Sequence, residues 1–142
     1  MMNGGAQSSA LLVRIGAGTM GVDIGEISEI IRMVDIERLP SGGAVLGAIS
    51  LRGQVLPVLD VGPALQQGAV AIDPAHYIVV AASTTPFGFC VHDAIDVIDV
   101  AEDQRREVWG ERSGGRFVRG MLRHDETLVP LLSTRAMEGE LE

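Results

Sequence analysis

Three histidines, one cysteine, a glycine-rich loop and a run of spaced aspartates are the residues of this chain whose types could do chemistry. His76, His92 and His124 are scattered, and none stands in the HxxH or HExxH spacing that sets two imidazoles on one helix face. No metal site is expected. Cys90 lies inside an apolar run with no base near it in sequence, so core packing is expected of it rather than nucleophilic attack. Asp93, Asp96 and Asp99 recur at every third position and read as a solvated face. Neither a serine nucleophile elbow nor a Walker loop is present. Gly16-Ala17-Gly18-Thr19-Met20-Gly21 is a literal GxGxxG after an apolar run, with Asp35 further on. It raises an enzyme-class alternative: NAD-dependent, dehydrogenase-like nucleotide binding through Gly16, Gly18 and Gly21. That fingerprint needs a helix opening within the glycines, a second strand, and an acid roughly 20 residues on. The stretch from Gly21 to Asp35 is too short for all three. Val22-Asp23-Ile24-Gly25 also carries on with strand-like alternation. No catalytic residue and no cofactor are expected.

The stretch around which the chain is organised is 45–60, VLGAISLRGQVLPVLD. Two apolar runs flank Arg52-Gly53-Gln54, the pattern of two strands and a tight turn. Gly53 can supply the positive φ that a short hairpin turn requires. Pro57 inside the second run predicts an edge strand or a bend. Arg52 sits at the hairpin tip, where a long cation projects into solvent or onto a partner. As a turn residue alone it would contribute little, since single surface charges seldom matter.

Composition limits the classes of function. Aromatics are only 4 % of the 142 residues, so the core must be aliphatic. The 18 glycines argue for many turns, as in all-β folds. A net charge of −8 makes nucleic acid and anionic membrane poor partners. A single cysteine rules out a disulfide framework and suggests a reducing, cytoplasmic setting. The first ten residues lack the charged and apolar regions of a signal peptide, and no apolar run approaches the roughly 18 residues of a membrane helix.

Taken in order, residues 1–10 are expected to be disordered. Strands are expected at 11–15 and 20–24, the first hairpin. Ile27, Ile30 and Ile31 stand at helical spacing and predict a short helix over 26–31. A Leu-Pro loop precedes the central hairpin, and one or two helical turns follow it, ended by Gly68. Strands are expected at 77–82 and 87–91; 93–100 is ambiguous in period. The charged segment 101–115 reads as a solvated loop with one helical turn. Strands follow at 116–122 and 127–132, and a short helix in the tail.

The halves repeat. GVDIGEISEII from Gly21 lines up with GFCVHDAIDVI from Gly88, and VLGAISLRGQVLPVL from Val45 with VRGMLRHDETLVPLL from Val118. Gly47 then matches Gly120, and Val55-Leu56-Pro57 matches Leu128-Val129-Pro130. The expected fold is all-β with short helices, two small five-stranded β-barrels packed together. The subdomain boundary would fall at about 68/69, giving 11–68 and 69–142 within one domain.

GVDIGEISEIIR, a Leu-Pro loop and VLGAISLRGQVLPVLDV in that order, with the core LRG-x-x-x-P-V-x-D, resemble the CheW-like domain family over about 11–132. The resemblance implies paired SH3-like barrels. It implies a non-catalytic cytoplasmic adaptor that couples the cytoplasmic tips of methyl-accepting chemoreceptors to the regulatory domain of a CheA-type histidine kinase, in chemotaxis or in systems with other outputs such as type IV pili. On the receptor side it carries over to Ile24, Ile27, Glu29, Gly47 and Arg52. Arg52 would reach a carboxylate on the partner or orient Glu29 beside a groove. The kinase side would lie at an end of the second barrel. The chain departs from the family at Ser50, where Asn is usual, at His92, where Asp is usual, and at Ser133, where the closing Asp is usual. Its late turn has Arg123-His124-Asp125 in place of a second LRG.

Overall fold

The apolar runs of the sequence become strands, and each strand needs a partner for its backbone amides and carbonyls. The computed structural model describes residues 7–40, 43–101, 105–107 and 115–141. The strands are β1 (Gln7–Ile15), β2 (Gly18–Asp23), β3 (Ile27–Arg32), β4 (Glu37–Arg38), β5 (Val45–Leu51), β6 (Gln54–Leu59), β7 (Tyr77–Ala81), β8 (Gly88–Val91), β9 (Asp93–Ala101), β10 (Arg105–Glu107), β11 (Val118–His124) and β12 (Thr127–Leu132). A helix α1 (Thr134–Glu138) and three short 3-10 turns complete the described elements. Residues 1–6 of the segment expected to be disordered, and most of the 101–115 loop, lie outside the described residues. Gln7 to Ala10, also in that segment, are instead the first part of β1.

Two six-stranded sheets form, in the orders β10-β11-β12-β2-β1-β9 and β3-β7-β8-β6-β5-β4. They are the paired sheets of the expected all-β fold. Each has one strand more than the five expected, because the very short β4 and β10 add an edge to the hairpins β5–β6 and β11–β12. Among the described residues neither sheet closes into a full barrel.

The strands are not shared out as a first and a second half. One sheet is built from the continuous stretch 27–91; the other combines β1 and β2 with β9 to β12. The sheets therefore do not part at about 68/69. The repeat explains the arrangement. Hairpin β5–β6 joins β8 by a parallel bridge at Val58↔Gly88, and hairpin β11–β12 joins β2 at Leu131↔Gly21. Gly21 and Gly88 are the matched glycines of the repeat, so each half lends its glycine strand to the hairpin of the other half.

Segment 26–31 differs from the helix that its spacing predicts. A 3-10 turn at Ile24–Glu26 gives way to β3, in which Ile27, Glu29 and Ile31 face inward and Ser28, Ile30 and Arg32 outward. Ile27 and Ile31 also stand at strand spacing while Ile30 is left exposed, and pairing with β7 selects the strand, which suits β-branched side chains. Pro57 does not mark an edge strand. β6 lies between β5 and β8, but β8 reaches it only at Val58 and Leu59, so the proline stands just outside the two-sided part of the sheet.

Most of the core is one cluster that draws Leu11, Val13 and Ile15 of β1 together with Ile49, Leu56, Val58, Ile78, Phe87, Phe89 and Phe117. A smaller cluster of Ala10, Leu12, Val100, Leu122 and Val129 fills the second sheet. Alternate residues of β1 thus serve the two clusters, which is the period of a strand buried on both faces. Cys90 belongs to the main cluster. Burial, with the nearby Asp60 charge, pushes its thiol up to about 12, so it is held as an unreactive thiol.

Candidate functional site

The hairpin tip at Arg52-Gly53 is a two-residue turn with positive φ at both positions, 49° and 80°. That is the turn geometry whose twist matches the flanking strands. Arg52 accepts a conformation that costs an L residue, and its side chain leaves the tip towards β3. There Arg52 Nη2 donates to Glu29 Oε2. The guanidinium is exposed and Glu29 half-buried. Beside the pair runs a groove of about 390 Å³ between the hairpin tip and the β3–β7 strands. Leu51, Leu56, Val80, Ala81 and Pro86 give it an apolar floor, and Ser28, Glu29, Arg52, Gln54 and Ser83 a polar rim.

Of the five residues singled out from the sequence, Glu29 and Arg52 meet at this groove. Ile24 is exposed on the 3-10 turn at the entry to β3, and Ile27 packs against the main core at the start of that strand. Gly47 stands away from the groove on β5, opposite Arg38 of β4. A side chain at Gly47 would overlap the Glu37 carbonyl and the Arg38 backbone, so this glycine admits the edge strand β4. Val80, Ser83 and Pro86 were not singled out. They come from the other half of the repeat, and only the strand exchange brings them beside Arg52.

Asp60, the aspartate of the LRG-x-x-x-P-V-x-D core, is a clamp. Its Oδ1 accepts from the Gly62 amide at 3.0 Å and its Oδ2 from the Val70 amide at 2.9 Å, which folds the loop 60–70 back on itself. A second polar network lies where the chain passes from one sheet to the other. Arg119 Nη1 donates to Asp23 Oδ2 at 3.1 Å and to Glu26 Oε2 at 2.7 Å, while Thr134 Oγ1 donates to Glu26 Oε1 at 2.6 Å. This network fastens the crossing segment to β11 and α1.

The glycine loop does not have the geometry of a dinucleotide site. Gly16 and Ala17 form the β1–β2 turn, and Gly18 and Gly21 lie within β2, so no helix N-terminus faces a phosphate. The turn amides are already used: Gly16 N–H donates to His92 Nδ1 at 2.8 Å and Ala17 N–H to Gln67 Oε1 at 3.1 Å. Asp35 lies outside any strand. Asp93, Asp96 and Asp99 are exposed on β9, as expected of a solvated face. No group of three or more metal-ligating side chains occurs among the described residues.

Comparison with known proteins agrees with this architecture. The model of the CheW-like domain family matches residues 9–140. The chain is 31 % identical over 135 residues to a probable chemotaxis protein CheW of Rhizobium etli, covering 91 % of this chain and 86 % of that protein. Its fold is similar to the crystal structure of the scaffolding protein TtCheW from Thermoanaerobacter tengcongensis, with a TM-score of 0.79 at 20 % identity, over 89 % of this chain and 84 % of that one. The paired exchanged sheets, the LRG hairpin and a family match spanning nearly all of the sequence place this chain in the CheW-like domain family.

Proposed function

We propose that the protein is a non-catalytic cytoplasmic adaptor that couples chemoreceptors to a CheA-type histidine kinase. The observation that carries this reading is the groove at the LRG hairpin, an apolar floor with a charged rim, on a chain of this family. Such a groove suits the apolar face of a receptor helix, whose polar flanks would meet Glu29 and Arg52. Ile24, exposed beside the entry to β3, extends the apolar surface, while Ile27 and Gly47 act from beneath by fixing β3 and β5. The kinase regulatory domain would dock on the sheet that carries β11 and β12. Each contact is weak and transient, and repetition in an array compensates for that. No helix among the described residues is long and apolar enough to cross a membrane.

The test is binding of a receptor-tip fragment and a kinase regulatory fragment, each titrated separately against variants whose folding is checked by melting. Arg52→Ala should weaken receptor binding by roughly 1 to 3 kcal/mol, since it removes a charge-assisted fork. Its effect on stability should be small, because an exposed ion pair contributes about 0 to 1 kcal/mol. Arg52→Lys should retain only part of the affinity, because an ammonium cannot reproduce the fork. Full binding of both fragments by a well-folded Arg52→Ala protein would overturn the assignment of this groove.

A further inference from the structure

His92 is the one residue between β8 and β9, where the chain leaves the continuous sheet for the divided one. Its ring is tied to the other sheet. Gly16 N–H donates to His92 Nδ1 at 2.8 Å, so that nitrogen must be without a proton. The backbone repeats the tie, since His92 N–H donates to the Arg14 carbonyl at 2.8 Å. Three side chains converge on the same turn: His92 holds the Gly16 amide, Gln67 holds the Ala17 amide, and Arg14 Nη1 donates to the Gly16 carbonyl at 3.1 Å. The turn is closely seated, for a side chain at Gly16 would collide with Gln67. The His92 ring also meets the His76 ring edge-on, with centroids 4.7 Å apart. His76 Nδ1 lies 2.8 Å from the Ala71 carbonyl, which requires a proton on that nitrogen.

We infer that His92 is an acid-released latch: neutral, it pins the Gly16 amide of the β1–β2 turn to the β8–β9 junction, and protonated, it lets that amide go. Protonation at Nδ1 turns an acceptor into a donor facing a donor, so the Gly16 bond cannot survive it. The new charge would sit beside Arg14 from β1 and against His76 from the segment before β7. Asp60, after β6, is the anion that opposes them, and Asp93, the next residue and the first of β9, is exposed. Burial first, then His76 and Arg14, lower the His92 pKa from its ordinary 6.5, with Asp60 acting the other way. A lowered folded-state pKa means that the fold favours the neutral ring. The stabilisation is therefore complete above pH 6.5 and is lost as pH falls below it through the folded-state value.

The experiment is a pH titration from 8 to 5 of the full-length, nitrogen-15-labelled protein, following the Gly16 amide resonance and its hydrogen-exchange protection. Wild type should show a reversible step below pH 6.5, with protection at Gly16 reduced by roughly five- to tenfold, the scale of one lost hydrogen bond. His92→Asn keeps an acceptor near Nδ1 but cannot titrate, and should hold protection constant over this range. His92→Phe should show the reduced protection at every pH. His76→Gln should keep the step and move its midpoint upward, because His76 no longer opposes a charge on His92. The proposal falls if wild type shows no step at Gly16, or if the step persists in His92→Asn.

Discussion

Hairpins β5–β6 and β11–β12 share a plan to the residue. Their strands have the same alternation of buried and exposed positions. Both break register at the same place, between Val45 and Gly47 in one and Val118 and Gly120 in the other. Both turn through two residues of positive φ, Arg52-Gly53 and Asp125-Glu126. Both leave one large apolar side chain outward, Val55 and Leu128, at 74 % and 57 % exposure. The residue after each hairpin accepts from an amide of the segment that follows: Asp60 from Gly62, and Ser133 from Ala136 at the start of α1. What differs is the tip. Arg52 reaches back to Glu29 beside a groove, whereas the Asp125 carboxylate lies 3.4 Å from the adjacent His124 ring. The hairpin frame therefore follows from apolar pattern and backbone geometry, and the tip is free to specialise.

The comparison can be broken most severely at the paired glycines. Gly47→Val should destabilise the fold by about 3 kcal/mol or more, since β4 backbone stands where the side chain would go. Gly120→Val should match it, because Gly120 faces Glu107 of β10 as Gly47 faces Arg38 of β4. Chemical denaturation of both variants checks this, and a tolerant Gly120→Val would end the equivalence of the two edges.

A smaller and unequal loss is expected at the closing residues. Asp60→Ala removes a carboxylate that serves two amides and should cost roughly 2 to 3 kcal/mol. Ser133→Ala removes one helix cap and should cost about 1 kcal/mol. Equal losses in urea melts would show that the second amide, Val70, adds nothing to Asp60.

The smallest effects lie at the turns, and there the hairpins should separate. Arg52→Gly and Glu126→Gly each relieve an L residue of a left-handed conformation, and each should leave the melting temperature unchanged or raise it by a few degrees, about 0.5 to 1 kcal/mol. Receptor-fragment binding should fall only with Arg52→Gly. A parallel loss with Glu126→Gly would assign binding to both tips.

Much of the frame was legible in the sequence. Strand runs, the central hairpin with Gly53 at its turn, and the repeat that matches Gly47 with Gly120 all rest on local pattern, and the structure keeps them. Segment 26–31 misled because Ile27 and Ile31 stand at strand spacing as well as helical spacing, with Glu29 turned inward between them and Ile30 left exposed. The ambiguous period of 93–100 has a physical cause: the register shift opposite Leu12 and Val13 leaves Ile95, Asp96 and Val97 all exposed. Ser28 occupies the matching place in β3, where the register shifts between Ile27 and Glu29. The exchange of strands was not legible, since equivalent halves can pair within themselves or across, and the sequence pattern is the same for both. It followed that Val80 and Pro86 could not be assigned to the groove, although Arg52 could be placed at its tip.

The exchange also sets an order of events during synthesis. Every strand of the continuous sheet is present once residue 91 has emerged, so that sheet can complete itself early. β1 must wait for β9; Ser9 finds Asp99 only across a separation of 90 positions. Closing so long a loop is entropically costly and slows folding. Until β9 arrives, Ala10 and Leu12 have no second-sheet interior to enter. The nascent chain thus carries a half-satisfied apolar hairpin while its other sheet is already formed, and this is the interval in which misassembly with another copy is most open to it.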